Sequence, residues 1–324
     1  MILRGIDFGH VQGASGVQGF FGEGYWFHKV MGPLLTFRGM TFTAKTTTLE
    51  ARDGNMPLKK DGICPKELFP RCIWMDRKQK IALNAVGLSG PGLEFLLDDG
   101  RWQARTEPFF LSFMSVASGE HERLREYKEM VRILRARLPE FRAPVGLKIN
   151  LTCPNTGHDP MEFVGDAIPI LEIVQELGIP IVVKINVMWP TEAAKKVAEH
   201  SACDAIQTSN TIPWRTMPDK IDWYGLFGPD EQSPLQKRGI PQAGGLSGRP
   251  LLPLVLRQAI DLRSNDIDAQ IIAGGGVLSP QDGCLLMNHS AVSAIALGSI
   301  AMLGPHKVQP TIKAINKMGM ERQK

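Results

Sequence analysis

The chain has 324 residues, 43% of them hydrophobic and 22% charged, with a formal net charge of +4. That composition can bury a large core and excludes a disordered or fibrous chain. Lys and Arg are dispersed rather than gathered in one run, which argues against a nucleic-acid partner. With no signal peptide and no run of about 18 apolar residues, a cytoplasmic protein with no membrane partner is expected.

Five cysteines occur, Cys64, Cys72, Cys153, Cys203 and Cys284, with no CxxC pair. An odd count without paired spacing predicts neither a disulfide framework nor a sulfur-ligated cluster. No metal-ligand spacing such as HExxH is present, so no metal is expected.

In chain order, residues 39–45 and 80–86 are strand-like. Residues 108–115 (PFFLSFMS) read as a buried strand, and 120–138 as a helix with Leu124, Tyr127, Val131, Leu134 and Leu138 on one face. Strands follow at 145–152, 179–187, 204–210, 269–273 and 294–297. Helices are predicted at 160–177, 191–200, 249–263, 279–289 and 307–318. Ser279 suits an N-cap, with Pro280 at the first helical position and Asp282 completing a capping box. This strand–helix repeat predicts a mostly parallel sheet covered by helices. An α/β fold, a (β/α)8 TIM barrel spanning 1–324 as one domain, fits best; a doubly wound open sheet is the structural alternative. Two stretches interrupt the repeat, near 51–80 and 211–243. As insertions after strands they are expected on the C-terminal face, where barrels carry their sites.

Several polar residues fall at predicted strand ends: Lys45, Asn84, Asn150, Lys184 and Asn210. In a barrel such positions converge on one pocket. Together with Asn155, the asparagines suit a planar ligand with alternating C=O and N–H edges, such as a pyrimidine. Two lysines there imply an anionic partner, for instance a reduced flavin. Glycine turns come late: Gly244 to Gly248, Gly274 to Gly276, and Gly298-Ser299. Backbone N–H groups in such turns bind phosphate. Cys153 follows a strand, and a thiol over the pocket can act as base or nucleophile. Position alone leaves it balanced against a buried filler cysteine. His158 and Asp159 lie nearby, and His121 reads as a solvated residue at a helix start.

On these residues the chain resembles the dihydroorotate dehydrogenases, from about Ala14 to Leu303. The matching segments are Ala14-Ser15-Gly16, Ala44 to Glu50, Gly54-Asn55, Asn84 to Leu88, and the signature Asn150-Leu151-Thr152-Cys153-Pro154-Asn155. Lys184, Ser209-Asn210-Thr211, Gly244 to Gly248, Gly275-Gly276 and Gly298-Ser299 follow in order. The resemblance implies an FMN-binding barrel that oxidises dihydroorotate to orotate in pyrimidine biosynthesis, of the soluble class with Cys as base. It implies that Cys153 takes the C5 proton while C6 delivers hydride to flavin N5, with Lys184 and Lys45 stabilising the reduced flavin. Asn84, Asn150, Asn155, Asn210 and Thr211 would hold the pyrimidine, and the backbone of Gly87 and Leu88 would meet its carboxylate. Ala14, Ser15, Gly16 and Thr46 would line the isoalloxazine. Gly245, Ser247, Gly248, Gly275, Gly276, Gly298 and Ser299 would serve the phosphate. The expected partners are the small-molecule substrate, a second copy in a homodimer, and an electron-transfer subunit if the acceptor is NAD-linked; fumarate and a quinone remain alternatives. Gly90 stands where the family often has Asn. Rival readings are a dihydropyrimidine dehydrogenase-like enzyme, a tRNA-modifying flavin barrel, and a non-catalytic flavin- or phosphate-binding barrel.

Overall fold

The structure, a computed structural model, describes residues 1–32, 35–151 and 164–322. Seven parallel strands lie side by side in the order Val11–Gly13, Ala294–Leu297, Gln270–Gly274, Ala205–Thr208, Ile181–Ile185, Val145–Asn150 and Phe109–Phe113. They are mostly apolar and, Gln270 apart, buried, as parallel strands covered on both faces must be. Residues 41–47 close the gap between the two outer strands. Thr41 bridges Gln12, Thr43 bridges Phe110 and Thr47 bridges Phe113, all in parallel sense. Gly13 N donates to Thr41 O at 2.9 Å, and Phe110 N to Phe42 O at 3.0 Å. This eighth stave is not a continuous strand. Lys45 N donates to Gly19 O in the loop after the first strand, which interrupts the ladder. The result is a closed (β/α)8 barrel.

The helices Glu120–Arg137, Ala167–Val174, Thr191–Glu199, Leu251–Ser264, Pro280–Met287, Ile300–Leu303 and Val308–Glu321 follow strands in sequence, as the repeat predicts. Ser279 Oγ accepts from Asp282 N at 3.3 Å and caps its helix. The Asp282 carboxylate does not complete a capping box, because it accepts from Leu278 N and Arg249 instead. No helix among the described residues is long and apolar enough to cross a membrane.

An N-terminal hairpin, Ile2–Leu3 with Ile6–Asp7, plugs the bottom of the barrel. Arg4 pairs with Asp204 just before a strand begins, and Gln270, which opens a strand, donates to Ile2 O. Met1, Leu3 and Phe8 pack on Phe110, Val182, Ala205, Ile272, Ala294 and Ala296, forming an apolar floor. Phe8 stacks on Phe110 at 4.2 Å.

Residues 80–86 differ from expectation. Ile81–Asn84 is a strand, but it belongs to a separate antiparallel sheet, in the order Ile212–Pro213, Gly245–Gly248, Ile81–Asn84, Ile73–Asp76. Both insertions contribute to this sheet, so neither is structureless. The 211–243 insertion also holds the helix Trp223–Phe227, with Trp214, Trp223 and Phe227 packed together.

Candidate active site

Side chains alternate along a strand, so residues two apart share a face. That rule aims Lys148 and Asn150 into the barrel from one strand, and Lys184 from the next. Asn210 follows the strand Ala205–Thr208 and is buried with them. Asn210 Nδ2 donates to Asn150 Oδ1 at 3.0 Å, while Asn210 Oδ1 accepts from Lys184 Nζ at 3.3 Å and Thr211 N at 3.0 Å. Asn150 Nδ2 reaches Thr46 Oγ1 at 3.5 Å. Thr46 and Ser112 share a hydroxyl bond of 2.8 Å, and Ser15 Oγ donates to Ser112 Oγ at 3.1 Å. One network therefore runs from the loop after the first strand to Lys184.

Lys45 arrives from the closing stave. Its Nζ donates to Ser89 O and lies 4.7 Å from the centre of the Phe20 ring. It has no ion pair among the described residues. Burial pulls its pKa down to about 8, against the opposing pull of Cys72 and Glu23. Lys148 lies deeper and is wholly buried, with both of its hydrogen bonds to glutamine carbonyls. Desolvation pushes it well below the ordinary lysine range, and the Lys184 charge pushes the same way.

Lys45, Asn150, Lys184 and Asn210 line one cavity, with Asn84, Gly87, Leu88 and Thr211 also in its wall. Arg52 Nε donates to the Gly87 carbonyl at 2.8 Å, and the Arg52 backbone exchanges two hydrogen bonds of 2.8 Å with Gly90, so this turn, in which Leu88 has a positive φ of 59°, is held at both ends. Thr211 Oγ1 is buried and has no hydrogen-bond partner among the described residues. Gly90 packs on Phe20, whose Cζ would lie 3.0 Å from a Cβ added there; a larger residue would displace the ring under Lys45.

Ala14, Ser15, Gly16 and Thr46 line the same cavity. Gly275, Gly276, Gly298 and Ser299 line it too, with Leu251 and Met302. Gly276 has φ +75°, and a Cβ there would meet Leu252 N at 2.4 Å. The turn thus abuts the first residues of the helix Leu251–Ser264; Leu252 N donates to Arg249 O at 3.2 Å, and the helix dipole at this end suits a phosphate. Ser247 lines the cavity, but Gly245 and Gly248 do not. Their run is a strand rather than a turn, and an ideal Cβ on Gly248 would lie 2.3 Å from Lys80 O. Close strand packing is what requires that glycine.

Cys153 and Asn155 lie outside the described residues, as do His158 and Asp159. Among the lining residues that carry no sequence motif are Gln207, Tyr25 and His28. His28 Nδ1 accepts from Tyr25 N at 3.2 Å, which places the ring proton on Nε2, and Nε2 is buried without a partner among the described residues. Desolvation lowers the His28 pKa to about 4, keeping the ring neutral. Among the described residues no group of three or more His, Cys, Asp and Glu side chains could hold a metal ion.

A family model described as dihydroorotate dehydrogenase matches residues 14–318. A catalytic subunit of dihydroorotate dehydrogenase B (NAD(+)) from Desulforamulus reducens is 26% identical over 285 residues, 86% of this chain and 80% of that one. Dihydroorotate dehydrogenase A (fumarate) from Lactobacillus helveticus is also 26% identical, covering 86% of this chain and 81% of its own. A crystal structure of the Eimeria tenella enzyme in complex with ferulenol shares the fold, with a TM-score of 0.68 at 17% identity, over 99% of this chain and 84% of that one. The chain belongs to the dihydroorotate dehydrogenase family and is, by that membership, an oxidoreductase acting on a CH–CH donor.

Proposed function

We propose that this protein oxidises dihydroorotate to orotate in pyrimidine biosynthesis, with bound FMN. One observation carries the reading. A single cavity joins a cluster of amides and lysines to glycine turns at a helix start. That combination suits a planar ring held by the amides and lysines and a phosphate held by the glycine turns. The residues fit FMN: Ala14, Ser15, Gly16 and Thr46 offer a flat wall for the ring. Gly275, Gly276, Gly298 and Ser299 leave backbone room for the phosphate, with Ser247 beside them. Bound there, FMN supplies the two-electron acceptor.

The chain's own residues do the rest. Asn84, Asn150, Asn155, Asn210 and Thr211 hold the pyrimidine by its C=O and N–H edges, and the turn at Gly87 and Leu88 receives its carboxylate. Lys45 and Lys184 place positive charge where negative charge develops, in a buried site where it is poorly screened. Cys153 takes the C5 proton as general base. A free thiol titrates at ~8.5, so flavin reduction is expected to quicken as pH rises toward that value. A flat pH profile, with Cys153→Ala equally fast, would remove the base assignment. A cytoplasmic homodimer completes the reading.

The test is anaerobic. Purified protein is expected to be yellow, and to be bleached by dihydroorotate but not by dihydrouracil. Equal bleaching by dihydrouracil would point to a dihydropyrimidine dehydrogenase-like activity, and bleaching by neither to a non-catalytic barrel. Fumarate, a quinone and an NAD-linked subunit, offered in turn, then identify the electron acceptor.

A further inference from the structure

Below the asparagine–lysine cluster and above the apolar floor lies a polar group that the proposed chemistry does not use. Lys148 Nζ donates to Gln12 Oε1 and to Gln207 Oε1, both at 2.8 Å, and sits 4.6 Å from the centre of the Phe110 ring. No carboxylate pairs with Lys148 among the described residues. An amine sealed in a barrel is costly unless hydrogen-bonded, and the two carbonyls are what hold it. Either charge state of the amine has the two N–H groups these bonds need.

This arrangement dictates which way Gln207 faces. An amide has one carbonyl and one NH2. With the carbonyl turned to Lys148, the NH2 end is directed elsewhere. Gln12 spends its own Nε2 on Met1 Sδ at 3.7 Å. For Gln207 Nε2 no described residue offers an acceptor. Gln207 is nonetheless 1% exposed, lines the cavity, and lies in strand register with Lys184. An almost wholly buried donor therefore opens on the cavity beside a lysine.

We propose that Lys148 is a positioning residue that locks Gln207, so that Gln207 Nε2–H donates, next to Lys184, to an acceptor edge of a planar heteroaromatic ligand that gains negative charge. Under the function proposed above, on which this rests, that ligand is the flavin, and the bond strengthens on reduction. Lys184 brings charge; Gln207 brings a directed N–H that a flexible lysine cannot replace.

The experiment is a potentiometric titration of the flavin-loaded protein and its variants. Gln207→Leu is expected to weaken binding of reduced relative to oxidised flavin about tenfold, which for a two-electron couple lowers the potential by about 30 mV. Lys148→Met is expected to give a similar drop alone and none in the Gln207→Leu background, because the two act as a unit. Gln207→Glu keeps the shape and the bond from Lys148 but loses the donor, so its potential also falls. An unchanged potential in Gln207→Leu and Gln207→Glu would overturn the assignment. So would a full Lys148→Met shift in the Gln207→Leu background, which marks a through-space charge effect. A protein that takes up no flavin overturns the functional reading and this assignment together; one that holds flavin, with a potential indifferent to Gln207, overturns this assignment alone.

Discussion

Asn210 Nδ2 donates to Asn150 Oδ1 at 3.0 Å, joining two barrel staves across the one that carries Lys184. This bond sets the polarity of the site. Once the Asn210 NH2 faces Asn150, its carbonyl must face Lys184 and Thr211 N. Neither amide can flip without losing partners on both sides.

Asn210→Asp tests that polarity with almost no change of shape. A carboxylate cannot donate to Asn150, and it would neutralise Lys184. Affinity for dihydroorotate is expected to fall roughly tenfold to a hundredfold, the range for hydrogen bonds in charged sites. Ligand titration of the folded variant measures it. Unchanged affinity would mean that the pyrimidine does not sit against this pair.

Lys45 gives a pH signature in the ligand-free protein. Its folded pKa is about 8, below the ordinary 10.5. Between these values the unfolded chain holds more protons, so stability rises with pH. The cost of burying the ammonium, about 3 kcal/mol, is present in full below pH 8 and fades toward pH 10.5. Lys45→Met is expected to be more stable than the parent at pH 7, with the gap closing over that window. Denaturant unfolding across the range checks this, and a constant gap would show that desolvation is not the cause.

The sequence signals differ in kind. Lys45, Asn150, Lys184 and Asn210 are legible because each is polar at the end of an apolar run, where a barrel strand opens onto its site. Lys148 and Gln207 sit inside such runs and read as exceptions to the pattern. Their only signal is spacing: Lys148 is two residues from Asn150, and Gln207 two from Ser209, which places each pair on one face. Ile81–Asn84 was legible as a strand but not as a member of the second sheet, since an apolar tetrapeptide does not encode its partner. The Gly245–Gly248 run looked like a turn because glycine serves tight turns and close strands alike. His28 follows three aromatic residues, in a segment whose pattern does not show that one side chain reaches the cavity.

His28 provides an acid-side test. Its pKa is lowered to about 4 by burial. The unfolded chain takes up the proton first, near 6.5, so stability falls as pH drops from about 6.5 to about 4, by about 3 kcal/mol in all. His28→Asn keeps a side-chain acceptor for Tyr25 N but does not titrate. Its unfolding free energy is expected to be flatter across that interval than the parent's. Parallel slopes in the two proteins would assign the acid sensitivity to another group.

Gly276 separates ligand contact from simple strain. At φ +75°, alanine is strained by about 1–3 kcal/mol, and its Cβ would press on Leu252 N and Cβ, at 2.4 and 2.7 Å. Something must shift, and both candidates, the glycine turn and the first turn of the helix Leu251–Ser264, border the proposed phosphate site. Gly178 is the matched control, with φ +67° and nothing within 4 Å of an added Cβ, in the turn that leads into the strand Ile181–Ile185. Gly178→Ala is expected to lose about 1 kcal/mol of stability and to keep its affinity for FMN. Gly276→Ala is expected to release FMN at least about tenfold more readily, as loss of one charged hydrogen bond would do. Fluorescence titration of the ligand-free proteins with FMN measures both. Equal affinities would mean that the phosphate does not meet this turn, whatever the alanine costs in stability.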